Sequence, residues 1–231
     1  MTTRLRKADR ERLEALAASD PAMEALIDRH GPLSIEHRRA DPALAEVIKA
    51  VGPFGMQLKS SRSLFGALAE AIVYQQLSNK AAATIYGRIE ALYPRAPHGF
   101  TPAHILRTED QRLRGVGLSR AKVLALRDLA ERVAKRKLPT LDEAHALADD
   151  ALIERLVEVR GIGRWSAEMF LMFRLGRPDV LPVDDYSLRK AYATAFRKRK
   201  LPTPDALAKA GEKWRPYRTV ASWYLWQTLN K

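Results

Sequence analysis

The sequence contains no cysteine among its 231 residues. This absence excludes disulfide bridges, a zinc site with thiolate ligands and an iron–sulfur cluster held by cysteines. Histidine does not supply an alternative ligand set, because the five histidines are scattered without metal-ligand spacing (His30, His37, His98, His104 and His145). We therefore expect no cofactor and no metal ion held by side chains.

Long apolar runs are also missing. No stretch approaches the about 20 apolar residues of a membrane-spanning helix, and the first 20 residues contain no apolar signal core. We expect a cytoplasmic protein, associated with the nucleoid if its source is bacterial, that has no membrane partner and acts as a monomer.

Strand-like alternation of apolar and polar residues is absent, and the residues that start and stop helices are spaced as in an all-α protein. Asp41 and Pro42 begin one predicted helix, which ends at Gly52. Asp142 and either Asp149 or Asp150 are predicted N-caps. Before and after the central stretch described below, helices are predicted over residues 9–18, 21–29, 42–51, 64–75, 78–92, 102–107, 120–136, 187–196, 204–210 and 216–229.

Positive charge is unevenly distributed along the chain, whose net charge is +13. Residues 101–137 hold ten Lys/Arg against four Asp/Glu, and residues 186–231 hold eleven against two. Residues 138–185, between them, hold five basic and ten acidic residues. A basic surplus alone is equally consistent with a solvated surface. Two basic segments around a turn suited to phosphate favour a nucleic-acid partner.

That turn lies in the stretch around which the chain is organised, residues 152–189. A predicted helix ends at Gly161-Ile162-Gly163, and a second helix begins at once. Glycines let a phosphate approach the backbone, and the amides of a helix N-terminus attract anions. The G-x-G pattern alone more often describes an ordinary turn between helices. The aromatic and sulfur-containing side chains predicted on the buried side of the second helix are Trp165, Met169, Phe170 and Phe173.

Four segments together resemble one family. Residues 152–189 resemble the helix-hairpin-helix and Gly/Pro-Asp motif of the helix-hairpin-helix (HhH-GPD) DNA glycosylases. Residues 72–78 (IVYQQLS), 113–122 (LRGVGLSRAK) and 214–218 (WRPYR) resemble segments of the DNA-3-methyladenine glycosylase II, or alkylbase glycosylase, branch. The resemblance covers roughly residues 64–230.

The resemblance implies two closely packed helical lobes with the active site in the cleft between them. We expect residues 1–63 to form N-terminal helices that pack with residues 186–231 as one lobe. Residues 64–185 would form the central lobe, which ends in the helix-hairpin-helix (152–175) and the catalytic loop. The branch's extra N-terminal β domain is not expected here, because the first sixty residues read as mostly helical, which corresponds to the compact form of the branch.

The chemistry implied is cleavage of an N-glycosidic bond, whose cation-like transition state needs a fixed negative charge. The resemblance places Asp185 at the catalytic aspartate, whereas Asp184 reads better as the N-cap of the following helix. Bifunctional relatives carry a nucleophilic lysine at the position of Trp165. An indole cannot attack the sugar, and Lys122 and Lys190 fall at no position used for that attack. The prediction is monofunctional hydrolysis that leaves an abasic site.

Binding roles also follow from the resemblance. Trp165, Tyr186, Trp226 and Met169 match base-pocket positions, while Trp214 and Trp223 read as core residues. Gln76 matches the residue that fills the gap left by a flipped base, although a polar residue at a helix end is an equally good reading. The DNA backbone would be gripped at Gly161, Gly163 and Arg164, with Arg160 as an alternative. A monovalent cation at hairpin carbonyls near the two glycines is also implied.

The function predicted is therefore excision of alkylated purines, of the 3-methyladenine and 7-methylguanine type, from double-stranded DNA in base excision repair. Two alternatives stay open at this point. A non-catalytic helix-hairpin-helix DNA-binding protein would explain the charge and the hairpin but neither the aromatic residues nor Asp185. A glycosylase for another damaged base, such as uracil or an etheno adduct, is poorly separated by sequence.

Overall fold

A computed structural model describes residues 41–96 and 98–229, and its regular elements are all helical. The all-α prediction is confirmed. The helices predicted over 9–18 and 21–29 lie outside the described residues. No helix in the described part of the chain combines the length and the apolar character needed to cross a membrane.

The described residues contain twelve α-helices and one short 3-10 helix. They are α1 (Pro42–Val51), α2 (Leu64–Tyr74), α3 (Asn79–Ala91), α4 (Pro102–Arg107), α5 (Asp110–Gly115), α6 (Arg120–Ala134), α7 (Leu141–Ala146), α8 (Asp149–Val157), α9 (Arg164–Phe173), α10 (Tyr186–Ala195), α11 (Pro204–Gly211), the 3-10 turn Glu212–Trp214 and α12 (Arg218–Gln227).

Most helix starts follow local capping chemistry. The Asp41 carboxylate accepts hydrogen bonds from the amides of Ala43 and Leu44, as predicted from Asp41-Pro42. Two predicted caps are wrong. Thr140, not Asp142, caps α7 and forms a capping box with Glu143, and Ala148 precedes α8 without any side-chain cap. The T-L-D-E sequence at 140–143 carried the signal for the capping box.

By its internal contacts the chain divides into two compact units. We call residues 41–60 and 171–229 the terminal unit and Ser61–Phe170 the central unit. The boundary between lobes that was predicted from the sequence lies at 185/186. The boundary between the two units lies at 170/171, inside α9. Thr219 gives a reason: its hydroxyl donates to the Arg177 carbonyl and accepts from the Val180 amide, so the loop after α9 is bonded to α12.

The core of the terminal unit lies among α1, α10 and α12. Trp214 is fully buried in it and donates its indole N–H to the Asp41 carboxylate at 2.9 Å. Trp223 packs against the same core, edge-on to Phe54. The prediction that these two tryptophans are core residues is confirmed.

In the central unit, α6 packs against α2 and α4. Its inward residues Leu126 and Leu129 are fully buried, as are Leu68 and Ile72 on α2. The Gln-Gln segment follows α2 directly, and Asp128 of α6 accepts from the Arg160 amide of the hairpin at 2.8 Å, so both segments are attached to this core.

Candidate functional site

The hairpin joins α8 to α9 through a turn anchored by apolar residues. Val159 and Ile162 are buried, and the Ile162 amide donates to the Val159 carbonyl at 3.0 Å. Gly161 has φ +82°, in the left-handed region that favours glycine. The buried side chains of Val159 and Ile162 thus anchor the turn, and its two glycines are exposed.

Gly163 is glycine for no reason internal to the fold. Its φ is not positive, and a Cβ added there would meet nothing within 4 Å. It immediately precedes α9, and its carbonyl accepts from the Ala167 amide as an N-cap carbonyl does. Because glycine has no side chain, it cannot cap the amides of the first turn of α9. Those amides suit an external anion that needs close access.

Two arginines near the hairpin contact carboxylates, Arg164 through its side chain and Arg160 through its backbone amide. The Arg164 guanidinium forms ion pairs with Glu168 at 3.0 Å and with Asp150 at 3.7 Å. The Arg160 backbone amide donates to the Asp128 carboxylate at 2.8 Å. A phosphate contact by Arg164 would compete with its ion pairs, so the backbone of the turn is the better candidate for the grip.

The side chains of α9 differ from the predicted arrangement in one respect. Phe170 is buried, and Met169 and Phe173 are partly buried, but Trp165 is 44% exposed. The prediction that Trp165 lies on the buried side of α9 is wrong. Its position in the first helical turn leaves the indole clear of the core, and Met169 lies one turn further along the same face.

The segment after α2 forms a tight turn with Gln76 at its tip. Leu77 donates its amide to the Tyr74 carbonyl at 3.3 Å, and Gln75 has φ −53° and ψ 132°. Gln76 has φ +57° and is exposed. These are the features of a type II β-turn, whose third position normally requires glycine or asparagine.

Two side chains hold this turn, and sequence reasoning missed both roles. The Gln75 side-chain amide donates to the Gly161 carbonyl at 2.8 Å. The Lys122 ammonium donates to the carbonyls of Val73 and Gln75 at 2.7 and 2.8 Å, and burial lowers the pKa of Lys122. Both residues belong to segments that resemble the glycosylases, but no local pattern indicates what they contact.

In the terminal unit, Asp185 is the N-cap of α10. Its Oδ1 accepts from the Leu188 amide and, at 3.2 Å, from the Trp226 indole N–H. The prediction that Asp184 caps this helix is wrong, since Asp184 is exposed and the cap is its neighbour. The N-cap role predicted for Asp184 therefore belongs to Asp185.

The aromatic residues around Asp185 have different exposures. Trp226 is partly buried and stacks on Phe173, with ring centroids 6.1 Å apart. Tyr186 is 62% exposed, an unusual state for a large aromatic side chain. The structure therefore brings Trp226 to Asp185 and leaves Tyr186 at the surface.

The loop before Asp185 is fixed to α12 by an ion pair. Arg218 donates through two nitrogens to the Asp179 carboxylate, at 2.7 and 3.0 Å, and Arg215 contacts the same carboxylate at 2.7 Å. Because Trp226 lies on the same helix as Arg218, the helix that holds the loop also holds the Asp185 side chain.

In residues 41–96 and 98–229, no three His, Cys, Asp or Glu side chains are arranged so that they could hold a metal ion. The cation site predicted at the hairpin would use backbone carbonyls as its ligands. The Gly161 carbonyl accepts from Gln75 and the Gly163 carbonyl from Ala167. Both are engaged by the fold itself, and no part of the function proposed below depends on a cation.

Comparison with known proteins shows which family this chain resembles. The profile of the HhH-GPD superfamily base excision DNA repair proteins matches residues 69–216. DNA-3-methyladenine glycosylase 1 of Schizosaccharomyces pombe is 40% identical over 161 residues, which are 70% of each chain. The alkylbase DNA glycosidase-like protein mag2 of the same yeast is 28% identical over 199 residues, 83% of this chain and 93% of that protein.

Solved structures agree. The 3-methyladenine DNA glycosylase of Schizosaccharomyces pombe, solved with abasic DNA, superposes with a TM-score of 0.76 at 35% identity, over 86% of this chain and 96% of the other. The DNA-3-methyladenine glycosidase of Bacillus halodurans gives 0.74 at 33% identity, over 90% and 89%.

The chain belongs to the HhH-GPD superfamily of base excision DNA repair proteins. Within that superfamily it belongs to the branch of the 3-methyladenine DNA glycosylases. The family, the branch and the enzyme class predicted from the sequence are confirmed.

Proposed function

We propose that this glycosylase binds double-stranded DNA, flips out an alkylated purine of the 3-methyladenine or 7-methylguanine type and hydrolyses its N-glycosidic bond, leaving an abasic site. The observation that carries the proposal is the Asp185 carboxylate, held by the Leu188 amide and the Trp226 indole. The names of its relatives, 3-methyladenine glycosylases, and the abasic DNA bound to one of them support the substrate class.

Asp185 would act through its charge. Cleavage of an N-glycosidic bond builds positive charge on the sugar, and a fixed carboxylate stabilises that charge without moving. Two N–H donors on Oδ1 orient the carboxylate before substrate arrives. Asp184, which is exposed and caps no helix, has no comparable fixation in the described contacts.

The reaction would be hydrolysis without a covalent enzyme intermediate. The bifunctional chemistry of related enzymes requires a lysine amine at the position of Trp165, and an indole nitrogen is not a nucleophile. An alkylated purine carries positive charge and is already a good leaving group, so the chemistry needs no general acid. The product is free base and an abasic site in an uncut strand.

Base recognition would use aromatic faces. A cationic purine is attracted to the electron-rich face of tryptophan or tyrosine. We assign Trp165, Met169, Tyr186 and Trp226 to this role. The exposure of Trp165 and Tyr186 is compatible with the assignment, because it leaves part of each aromatic side chain accessible to a base.

DNA binding would combine a backbone grip with a gap-filling tip. The amides of the turn around Gly161 and Gly163 suit a phosphate, and two basic segments add sequence-independent attraction. Gln76, exposed at the tip of its turn, suits the space left by a flipped base. Its amide would hydrogen-bond the base left without a partner.

The test is chromatography of the bases released by purified protein from methylated duplex DNA. We expect free methylated purines, an uncut strand, and no covalent adduct when borohydride is added. A trapped adduct would disprove the monofunctional mechanism. Release of uracil or an etheno base in place of methylated purines would move the substrate class, and DNA binding without release of any damaged base would favour a non-catalytic role.

A further inference from the structure

Gln76 occupies a conformation that its residue type does not favour. Its φ of +57° is left-handed, which is unfavourable for a residue with a Cβ, and glycine would avoid this cost. Such residues persist only where their surroundings determine them, and they cluster at functional positions. The turn therefore keeps a long polar side chain at its tip against a local preference for glycine.

Two sets of hydrogen bonds fix this turn, one from Lys122 and one to the glycine hairpin. Behind it, Lys122 donates to the carbonyls of Val73 and Gln75, at the end of α2 where carbonyls have no helical partner. An ammonium group at a helix C-terminus is also favoured by the helix dipole. Lys122 is itself placed by Ser119, whose hydroxyl accepts from the Lys122 amide at the start of α6.

The second connection runs to the glycine hairpin. The Gln75 side chain reaches 86 residues along the sequence to the carbonyl of Gly161, at 2.8 Å. The peptide that carries this carbonyl belongs to the same turn as Gly163, the candidate phosphate contact. One side-chain amide thus joins the turn that would hold the DNA backbone to the turn that presents Gln76.

We propose that Gln75 and Lys122 are positioning residues that set the Gln76 tip at a fixed offset from the DNA-binding hairpin, so that backbone binding and gap filling occur together. This inference rests on the proposed function. Neither residue touches the base or the reacting bond. Their loss weakens capture of DNA with a missing base and leaves binding of intact duplex unchanged.

The experiment compares affinities for two duplexes, one intact and one with a tetrahydrofuran abasic analogue opposite 2-aminopurine, whose fluorescence reports insertion into the gap. Gln75→Met removes the donor and keeps the side-chain length. We expect a roughly 5-fold smaller preference for the abasic duplex, in keeping with the loss of one solvent-exposed hydrogen bond. Gln57→Met, the same change at an exposed position, is the matched control and is expected to keep the full preference.

A double-mutant cycle separates positioning from general destabilisation. Gln76→Gly removes the tip while keeping the left-handed backbone favourable. If Gln75 acts through the tip, Gln75→Met will add almost nothing in the Gln76→Gly background. Additive losses, or an equal loss of affinity for intact duplex, would overturn the proposal.

Lys122→Met is a second variant at an independent position, and we expect the same selective loss. An unchanged preference in both Gln75→Met and Lys122→Met would also overturn the proposal. Neither duplex contains an excisable alkylated base, so the measurement does not depend on catalysis. Failure of the proposed function would appear in the wild-type protein, as no base release from methylated DNA, and failure of this inference only in the variants.

Discussion

The two regions that carry the candidate site are built in different ways. Around Asp185 the important group is a charged side chain, held by an amide and an indole. At the hairpin the proposed phosphate contacts are backbone amides, and the residue proposed to admit the phosphate, Gly163, has no side chain. Chemistry that acts through a charge is sensitive to one atom of one side chain, whereas a backbone grip is sensitive to shape.

This difference predicts different responses to substitution. At Asp185 a change of a single atom that preserves shape should remove activity. At the hairpin a change of residue type should matter only through the space that it fills. The following variants test that contrast, from the largest expected effect to the smallest.

Asp185→Asn should lower the single-turnover rate of base release on the order of 1000-fold, because it removes the negative charge below the developing cation. Asparagine caps helices about as well as aspartate, so the melting temperature should change by no more than about 2 °C. The measurements are quenched-time chromatography of released base and thermal unfolding.

Asp185→Ala is the informative partner of that variant. It removes the cap as well as the charge and should cost a further ~1 kcal/mol of folding free energy. The rate of base release should be no lower than that of Asp185→Asn, because the charge is absent in both variants. Near-normal turnover by Asp185→Asn would remove Asp185 from the catalytic role.

Trp226→Phe should slow base release by about 10-fold, since it deletes a hydrogen bond to a charged group and keeps an aromatic ring against Phe173. Trp223→Phe is the matched control on the same helix, because Trp223 packs on Phe54 and makes no described contact with Asp185. Equal rates for the two variants would show that the indole N–H does not orient the carboxylate.

Gly163→Ala should weaken affinity for intact duplex by about 5-fold, roughly 1 kcal/mol, because the added methyl group hinders a phosphate at the turn. Gly115→Ala is the control: both glycines are exposed, neither has a positive φ, and an added Cβ meets nothing within 4 Å at either one. Fluorescence anisotropy measures both, and an equal affinity for the two variants would argue against a phosphate at Gly163.

Much of the fold follows from local pattern. Asp41-Pro42, Ser78 and Thr101-Pro102 each begin a helix where predicted, because a cap acts within three or four residues of its own position. The errors at Asp142 and Asp184 have the same local origin. In each case several neighbouring residues could cap. For α7 the reciprocal bonds of Thr140 and Glu143 form a capping box, and for α10 the cap is Asp185.

Exposure was less predictable than helix position. Trp165 follows the apolar spacing of α9 and was predicted to be buried, yet it is 44% exposed. Periodicity states which residues share a face of a helix, and it does not state how far along the helix the neighbouring core extends. The first turn of α9 lies beyond that limit, so the Trp165 side chain remains partly exposed.

The sequence by itself determined the helical class, the family, the lack of cysteine and the residue types available to the candidate site. Only the tertiary structure decided how these residues are held. The bonds from Gln75 to Gly161, from Lys122 to Gln75 and from Trp226 to Asp185 span 86, 47 and 41 residues. A local pattern cannot encode them, because their geometry exists only after the helices have packed.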